Sequence, residues 1–115
     1  MRDAGGTPAA VKIAIERGIF AGPRMLVAVS FLSQTGGHGD SFMPCCINLG
    51  DNLPSDIPYG VVDGVDAMRA TTRRVLRAGA DWIKLCTSGG VLSPNDDPHH
   101  PTLTIDEIRA AVEEA

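Results

Sequence analysis

Residues 81–90 read DWIKLCTSGG, and how this stretch is read decides the fold. Trp82, Ile83, Leu85 and Cys86 form a short apolar run bounded by a Ser-Gly-Gly turn signal. That is the pattern of a strand covered on both faces in a parallel sheet, and it predicts a strand over residues 80–88. Lys84 stands in the middle of it. An ammonium group is costly to take out of water, so a strand lysine either carries its head to solvent or an acid, or is given chemistry.

Outward from this strand the chain alternates. On the N-terminal side, VDGVDAMRATTRRVLRAG (62–79) has helical spacing. Val65, Met68, Val75 and Leu76 give the apolar face and Gly79 the stop. On the C-terminal side, TIDEIRAAVEEA (104–115) opens with a capping box, Thr104 as N-cap and Glu107 three residues later. RMLVAVSFLS (24–33) is a second continuous apolar run, predicted to be a central strand. TPAAVKIAIERG (7–18) places Thr7 as N-cap, Pro8 at the first helical position and a glycine at the end, giving a helix over Pro8–Arg17. Helix, strand, helix, strand, helix is the order of βαβ units on a parallel sheet. Between them, residues 34–62 show no sustained periodicity and are rich in Gly, Pro, Asn and Asp. A connection that long implies a functional or mobile loop.

Composition sets the outer limits. With 115 residues, 43% hydrophobic and 21% charged, the chain is one modest globular unit. A net charge of -4 gives no general attraction to nucleic acid or anionic lipid, so neither is an expected partner. The longest apolar stretch is too short to span a bilayer and no charged leader opens the chain. Three cysteines, two of them adjacent (Cys45, Cys46, Cys86), make a poor disulfide framework and suit the cytoplasm. A closed (β/α)8 barrel needs roughly 250 residues, so two or three strands with their helices read as part of a larger fold.

Three glycine pairs recur at equivalent places: RDAGG (2–6), SQTGGHGD (33–40) and CTSGGV (86–91). Loops after parallel strands share one face of the sheet, where βα proteins build their sites. Gly36, Gly37, Gly89 and Gly90 are expected to support those loops. Lys84 in apolar company could be a neutral amine, able to form a Schiff base or take up carbon dioxide. Pattern alone favours the plainer alternative, in which it snorkels or pairs with Asp3 or Asp40. His38 and Asp40 fall on the same face, and a histidine there could hold a carboxylate, bind metal or move a proton. Cys45 and Cys46 lack zinc-knuckle spacing and read as filler. His99 and His100 belong to a solvated proline-rich loop. Arg69, Arg73 and Arg77, at i, i+4 and i+8, read as a wet outer helix face.

Taken together, RDAGG, AIERGIFAGPRM, TGGHGD, GADWIKLCTSGGVLSPNDDP and TIDEIRAAVEEA resemble the central part of the metal-dependent amidohydrolase superfamily. The nearest branch is the prolidase-like one of Xaa-Pro dipeptidases, close to imidazolonepropionases. The resemblance implies an α/β fold, a partial (β/α)8 barrel of about strands 2 to 4, forming a single partial catalytic domain over 1–115 with the functional loop at 34–62. It implies zinc-assisted hydrolysis of a peptide or amide bond in a small molecule or dipeptide. Lys84 would be carboxylated by CO2 or bicarbonate and would bridge two Zn2+ ions. His38 would face the substrate, and Asp40 would brace the loop. The superfamily's HxH pair, two later histidines and catalytic aspartate have no counterpart in the chain. It is therefore expected to be a truncated reading frame, inactive alone, and either homo-oligomeric or dependent on the missing barrel half. Two other classes compete: a non-catalytic α/β binding or assembly module, and a Schiff-base barrel enzyme using Lys84.

Overall fold

The structure, a computed structural model, describes residues 1–43, 47–48, 52–91 and 96–115. Cys45 and Cys46 lie outside the described residues, as do 49–51 and the 92–95 part of the SGGVLSPNDDP motif. In chain order the elements are α1 (Ala9–Glu16), β1 (Phe31–Leu32), β2 (Phe42–Met43), β3 (Ile47–Asn48), α2 (Val65–Arg77), β4 (Lys84–Leu85) and α3 (Ile105–Glu114).

The sheet is built around the apolar run at 24–33. Its regular part is short. Val29 takes φ 62 and the Ser30 N–H donates back to the Ala28 carbonyl at 2.6 Å, which interrupts the extended backbone. Ahead of this kink, Leu26 bridges Arg2 in parallel. Beyond it, Phe31 and Leu32 pair in parallel with Lys84 and Leu85. The Asp81 N–H donates to the Val27 carbonyl at 2.8 Å and the Cys86 N–H to that of Leu32 at 2.9 Å. Three segments thus run side by side in one direction, 2–6, 25–33 and 81–86, as the alternating order requires. Met25, Val27, Ala28 and Val29 are buried, the coverage expected of an apolar run without alternation.

Two corrections come from the helices. Thr7 does not cap α1: Pro8 occupies the N-cap position without a side-chain bond, and the Thr7 hydroxyl donates to Asp3 at 3.0 Å instead. Val65 is not on the buried face of α2. It sits at the first helical position and is exposed, while Met68, Thr71, Thr72 and Val75 are buried. The capping box of α3 is present as read, with the Glu107 N–H donating to Thr104 and the Glu107 carboxylate accepting from the Thr104 N–H. That carboxylate also accepts from the N–H of Gly64, the N-cap of α2, at 2.7 Å. One buried acid therefore ties the starts of two helices together.

The α2 and α3 helices pack against each other and close a cluster of Leu32, Val62, Met68, Val75, Leu103, Ala110 and Ala111, against which Ile83 and Leu85 also pack. A second cluster, Met25, Val27, Val29 and Ile57, lies under Ala9, Val11 and Ile15 of α1. The Arg69 and Arg73 guanidiniums, read as a wet stripe, instead clamp Glu113 and Glu114 of α3 at 2.6–2.7 Å. Residues 34–62 contain structure that periodicity does not announce: β2 and β3 pair as an antiparallel hairpin, and Ser33 bridges Val61 in parallel where the segment returns. No helix among the described residues is long and apolar enough to cross a membrane.

Candidate active-site cleft

Since Ile83 and Leu85 pack toward the helices, strand alternation turns Trp82, Lys84 and Cys86 to the opposite face. There a cleft of about 220 Å3 is lined by Ala4, Gly5, Phe31, His38, Lys84 and Cys86. These residues come from all three glycine-bearing segments. They meet because parallel strands deliver their following loops to one end of the sheet.

Lys84 is half-buried and its side chain makes no hydrogen bond or ion pair among the described residues. Neither acid considered for it is engaged with it. Asp3 accepts from Thr7 at 3.0 Å and from the Ala28 N–H at 3.3 Å. Asp40 accepts from the N–H groups of Gly36 and Phe42 at 2.8 and 3.0 Å and from the Tyr59 hydroxyl at 3.2 Å. The Gly36 N–H, followed by the Phe42 N–H and Tyr59, holds the Asp40 carboxyl below its usual range. An ionised carboxylate therefore closes the TGGHGD loop across its neck. Gly36 takes φ 73 within that loop, a conformation a side chain would disfavour. His38 rides on the loop and is exposed at the mouth of the cleft.

Cys86 is buried beside Lys84. Burial pushes its thiol up, with the Lys84 charge opposing only in part, so at neutral pH it is a protonated apolar wall and not a nucleophile. The loop beyond it is held by its own acids. The Gly90 N–H donates to Asp96 at 2.9 Å, and a side chain at Gly89 would bring a Cβ within 2.4 Å of the Asp97 carbonyl. The other Asp96 oxygen is buried without a partner among the described residues. Asp97 accepts from the His99 N–H at 2.8 Å and stands 3.4 Å from His100, both histidines exposed. Among the described residues no group of three or more His, Cys, Asp or Glu is placed to hold a metal ion.

Sequence reasoning passed over Phe31 and Tyr59. Phe31 carried a signal: it lies five residues before Gly36, as Lys84 lies five before Gly89. The parallel register pairs the two residues directly. Aligning the two strands on their glycine pairs would have put the ring opposite the lysine. Tyr59 had no such mark, because its partnership with Asp40 depends on how the chain returns after residue 48.

No protein-family model matches the chain. It is 36% identical to ochratoxinase from Aspergillus niger over 99% of its own length, which is 26% of that protein. A solved amidohydrolase matches at 44% identity and a TM-score of 0.80, over 99% of this chain and 29% of that one. A prolidase solved with N-methylphosphonate-L-proline matches at 41% identity and a TM-score of 0.80, over 99% and 28%. The chain thus spans little more than a quarter of the length of the relatives it matches. Over nearly all of its residues, in sequence and in fold, it corresponds to one stretch of the amidohydrolases, prolidase and ochratoxinase among them.

Proposed function

We propose that the cleft is one wall of an amide-hydrolysing site, built on what would be strands 2 to 4 of a barrel. One observation carries this reading: Lys84, half-buried and without an ion pair among the described residues, shares the cleft with His38 at the ends of parallel strands. An unpaired lysine beside a buried thiol and a phenyl ring is a liability for stability, which a chemical role for the amine would explain. The relatives, an amidohydrolase, a prolidase and an ochratoxinase, support the choice of amide or peptide bonds as the class acted upon.

In this reading the Lys84 amine adds to CO2. The nitrogen lone pair forms the N–C bond, one proton leaves to solvent, and the product is an anionic carbamate. Such a group would turn a half-buried cation into an anionic oxygen donor able to hold zinc. Zinc, when bound in such a site, activates water. The described residues supply this one donor and no group of three or more metal-ligating side chains. His38, at the cleft mouth, would contact a substrate carbonyl or carboxylate. The expected behaviour of the 115-residue chain is binding of Xaa-Pro dipeptides without measurable hydrolysis.

Titration of the chain with a dipeptide such as Met-Pro, followed by NMR of the Gly5 and Cys86 amides that line the cleft, tests this. Saturable shifts that weaken in Lys84→Met and disappear in His38→Ala support it. Shifts that survive both substitutions place the ligand elsewhere and refute it. Borohydride trapping of a carbonyl compound at Lys84, without carbamate formation, would favour Schiff-base chemistry instead.

A further inference from the structure

Conformation explains Gly36 of the TGGHGD loop, but it does not explain the two glycines that flank His38. Neither Gly37 nor Gly39 takes the positive φ that Gly36 does. What excludes a side chain at both is the same neighbour. A Cβ at Gly37 would stand 2.6 Å from Oγ of Ser33, and a Cβ at Gly39 would stand 2.6 Å from Cβ of Ser33, with the Phe31 ring next at 2.8 Å. The loop is therefore folded directly over one serine side chain. That serine also bonds it: the Gly39 N–H donates to the Ser33 hydroxyl oxygen at 3.0 Å, which ties down the peptide joining His38 to Gly39.

Ser33 is itself fixed. It is 0% exposed, its N–H donates to the Gly60 carbonyl at 3.0 Å, and its carbonyl accepts from the Val62 N–H at 2.8 Å. It directly follows β1, whose Leu32 packs toward the helices, so alternation turns Ser33 to the face that carries the cleft. Asp40 acts differently. Its carboxylate accepts from the N–H groups of Gly36 and Phe42, its own near neighbours, and so closes the loop on itself. The Ser33 hydroxyl instead joins the loop to the sheet, one residue from His38. We infer that Ser33 is a positioning residue, setting where the His38 imidazole stands at the mouth of the cleft through its hold on the following peptide. The inference rests on the reading of His38 as a substrate contact. An N–H that loses its acceptor inside the protein must move or find water, so removing this one oxygen should displace the loop at His38 and leave the β1–β4 ladder in place.

The test is NMR of the 115-residue chain and its Ser33→Ala variant, with the His38 imidazole signals assigned by their loss in His38→Ala. In Ser33→Ala the Gly39 amide should exchange with solvent about fivefold faster or more, the worth of one hydrogen bond, and the His38 imidazole signals should shift and broaden. The Cys86 amide, held by the ladder, should keep its native exchange rate. Affinity for Met-Pro, read at the Gly5 and Cys86 amides, should fall about fivefold. If Ser33→Ala does not fold, as judged by the emission of the single tryptophan, Gly37→Ala answers the same question from the loop side. It sets a methyl against the same hydroxyl and should alter His38 and weaken Met-Pro in the same way. Unchanged Gly39 exchange and His38 signals, or altered His38 signals with Met-Pro affinity intact, overturn the inference and leave the amide-site reading standing. Equal loss of protection at Gly39 and Cys86 also overturns it, because Ser33 would then support the fold at large. Failure of the native chain to bind Met-Pro overturns both.

Discussion

At the scale of single residues, what decides the cleft is which side chains have been given partners and which have not. Asp40 has three donors and Asp81 two, the Lys12 ammonium at 2.5 Å and the Val27 N–H at 2.8 Å, whereas Lys84 has none among the described residues. The same contrast explains what the sequence could reveal. DWIKLC identifies an out-of-place lysine because its neighbours are apolar, and TGGHGD identifies a tight loop because glycine has few other reasons to cluster. Neither says that Asp40 will be occupied by backbone N–H groups and Tyr59, since that partner lies 19 residues away across a segment without periodicity. Tyr59→Phe should remove one of the three donors to Asp40 and raise its carboxyl pKa, measurable by NMR titration, while Asp40→Asn should broaden the His38 resonances. Unchanged His38 signals in Asp40→Asn would show that the carboxylate does not order the loop. Gly60→Ala should destabilise by about 3 kcal/mol in urea melts, the upper range for overpacking, because backbone oxygen and not a flexible side chain stands in the way.

At the scale of elements, helices were legible where their caps and faces are local. The α3 capping box is written in TIDE, and α2 differs from its reading at Val65 and at Arg69 and Arg73, whose partners lie on α3. The strands were legible as buried segments and illegible in extent. RMLVAVSFLS predicts ten extended residues, but the turn-back at Val29 and Ser30 leaves two of them in the ladder with β4. Nothing in a β-branched valine announces a positive φ. The hairpin β2–β3 escaped notice because each arm is two residues long, too short for alternation to register. Glu107 supplies the element-scale predictions. Thr104→Ala should cost about 1 kcal/mol, the typical worth of an N-cap. The Thr104 N–H first, then its hydroxyl and the Gly64 N–H, lowers the Glu107 carboxyl from its usual 4.5. A carboxyl depressed in the folded state adds stability above its unfolded pKa and loses it as pH falls through the folded value. The α2–α3 pair should therefore loosen on acidification below about pH 4.5. Glu107→Gln should flatten that dependence, as seen by circular dichroism melts at pH 7 and pH 3. An unaltered pH profile in Glu107→Gln would assign acid sensitivity to other groups, Glu114 among them, whose carboxyl Arg73 and Arg69 pull down to about 2.

At the scale of the whole molecule, the chain holds two modest apolar clusters and leaves Ile19, Phe20, Val91, Ile105 and Val112 between 48% and 84% exposed. Composition foresaw a small unit; only the structure shows that its apolar surface is shared between inside and outside. Large exposed side chains on a chain that matches about a quarter of its relatives' length are expected to drive self-association. Sedimentation velocity should show concentration-dependent oligomers, reduced by Ile19→Ser with Phe20→Ser. A monomer at all concentrations would contradict this. The central claim is chemical and concerns Lys84. Incubation with carbon-13 bicarbonate, with and without zinc, followed by carbon-13 NMR, should give a carbamate resonance that correlates with the Lys84 side chain. That resonance should be absent from Lys84→Met. Its absence from the native chain under both conditions, while dipeptide still binds at the cleft, would contradict the account.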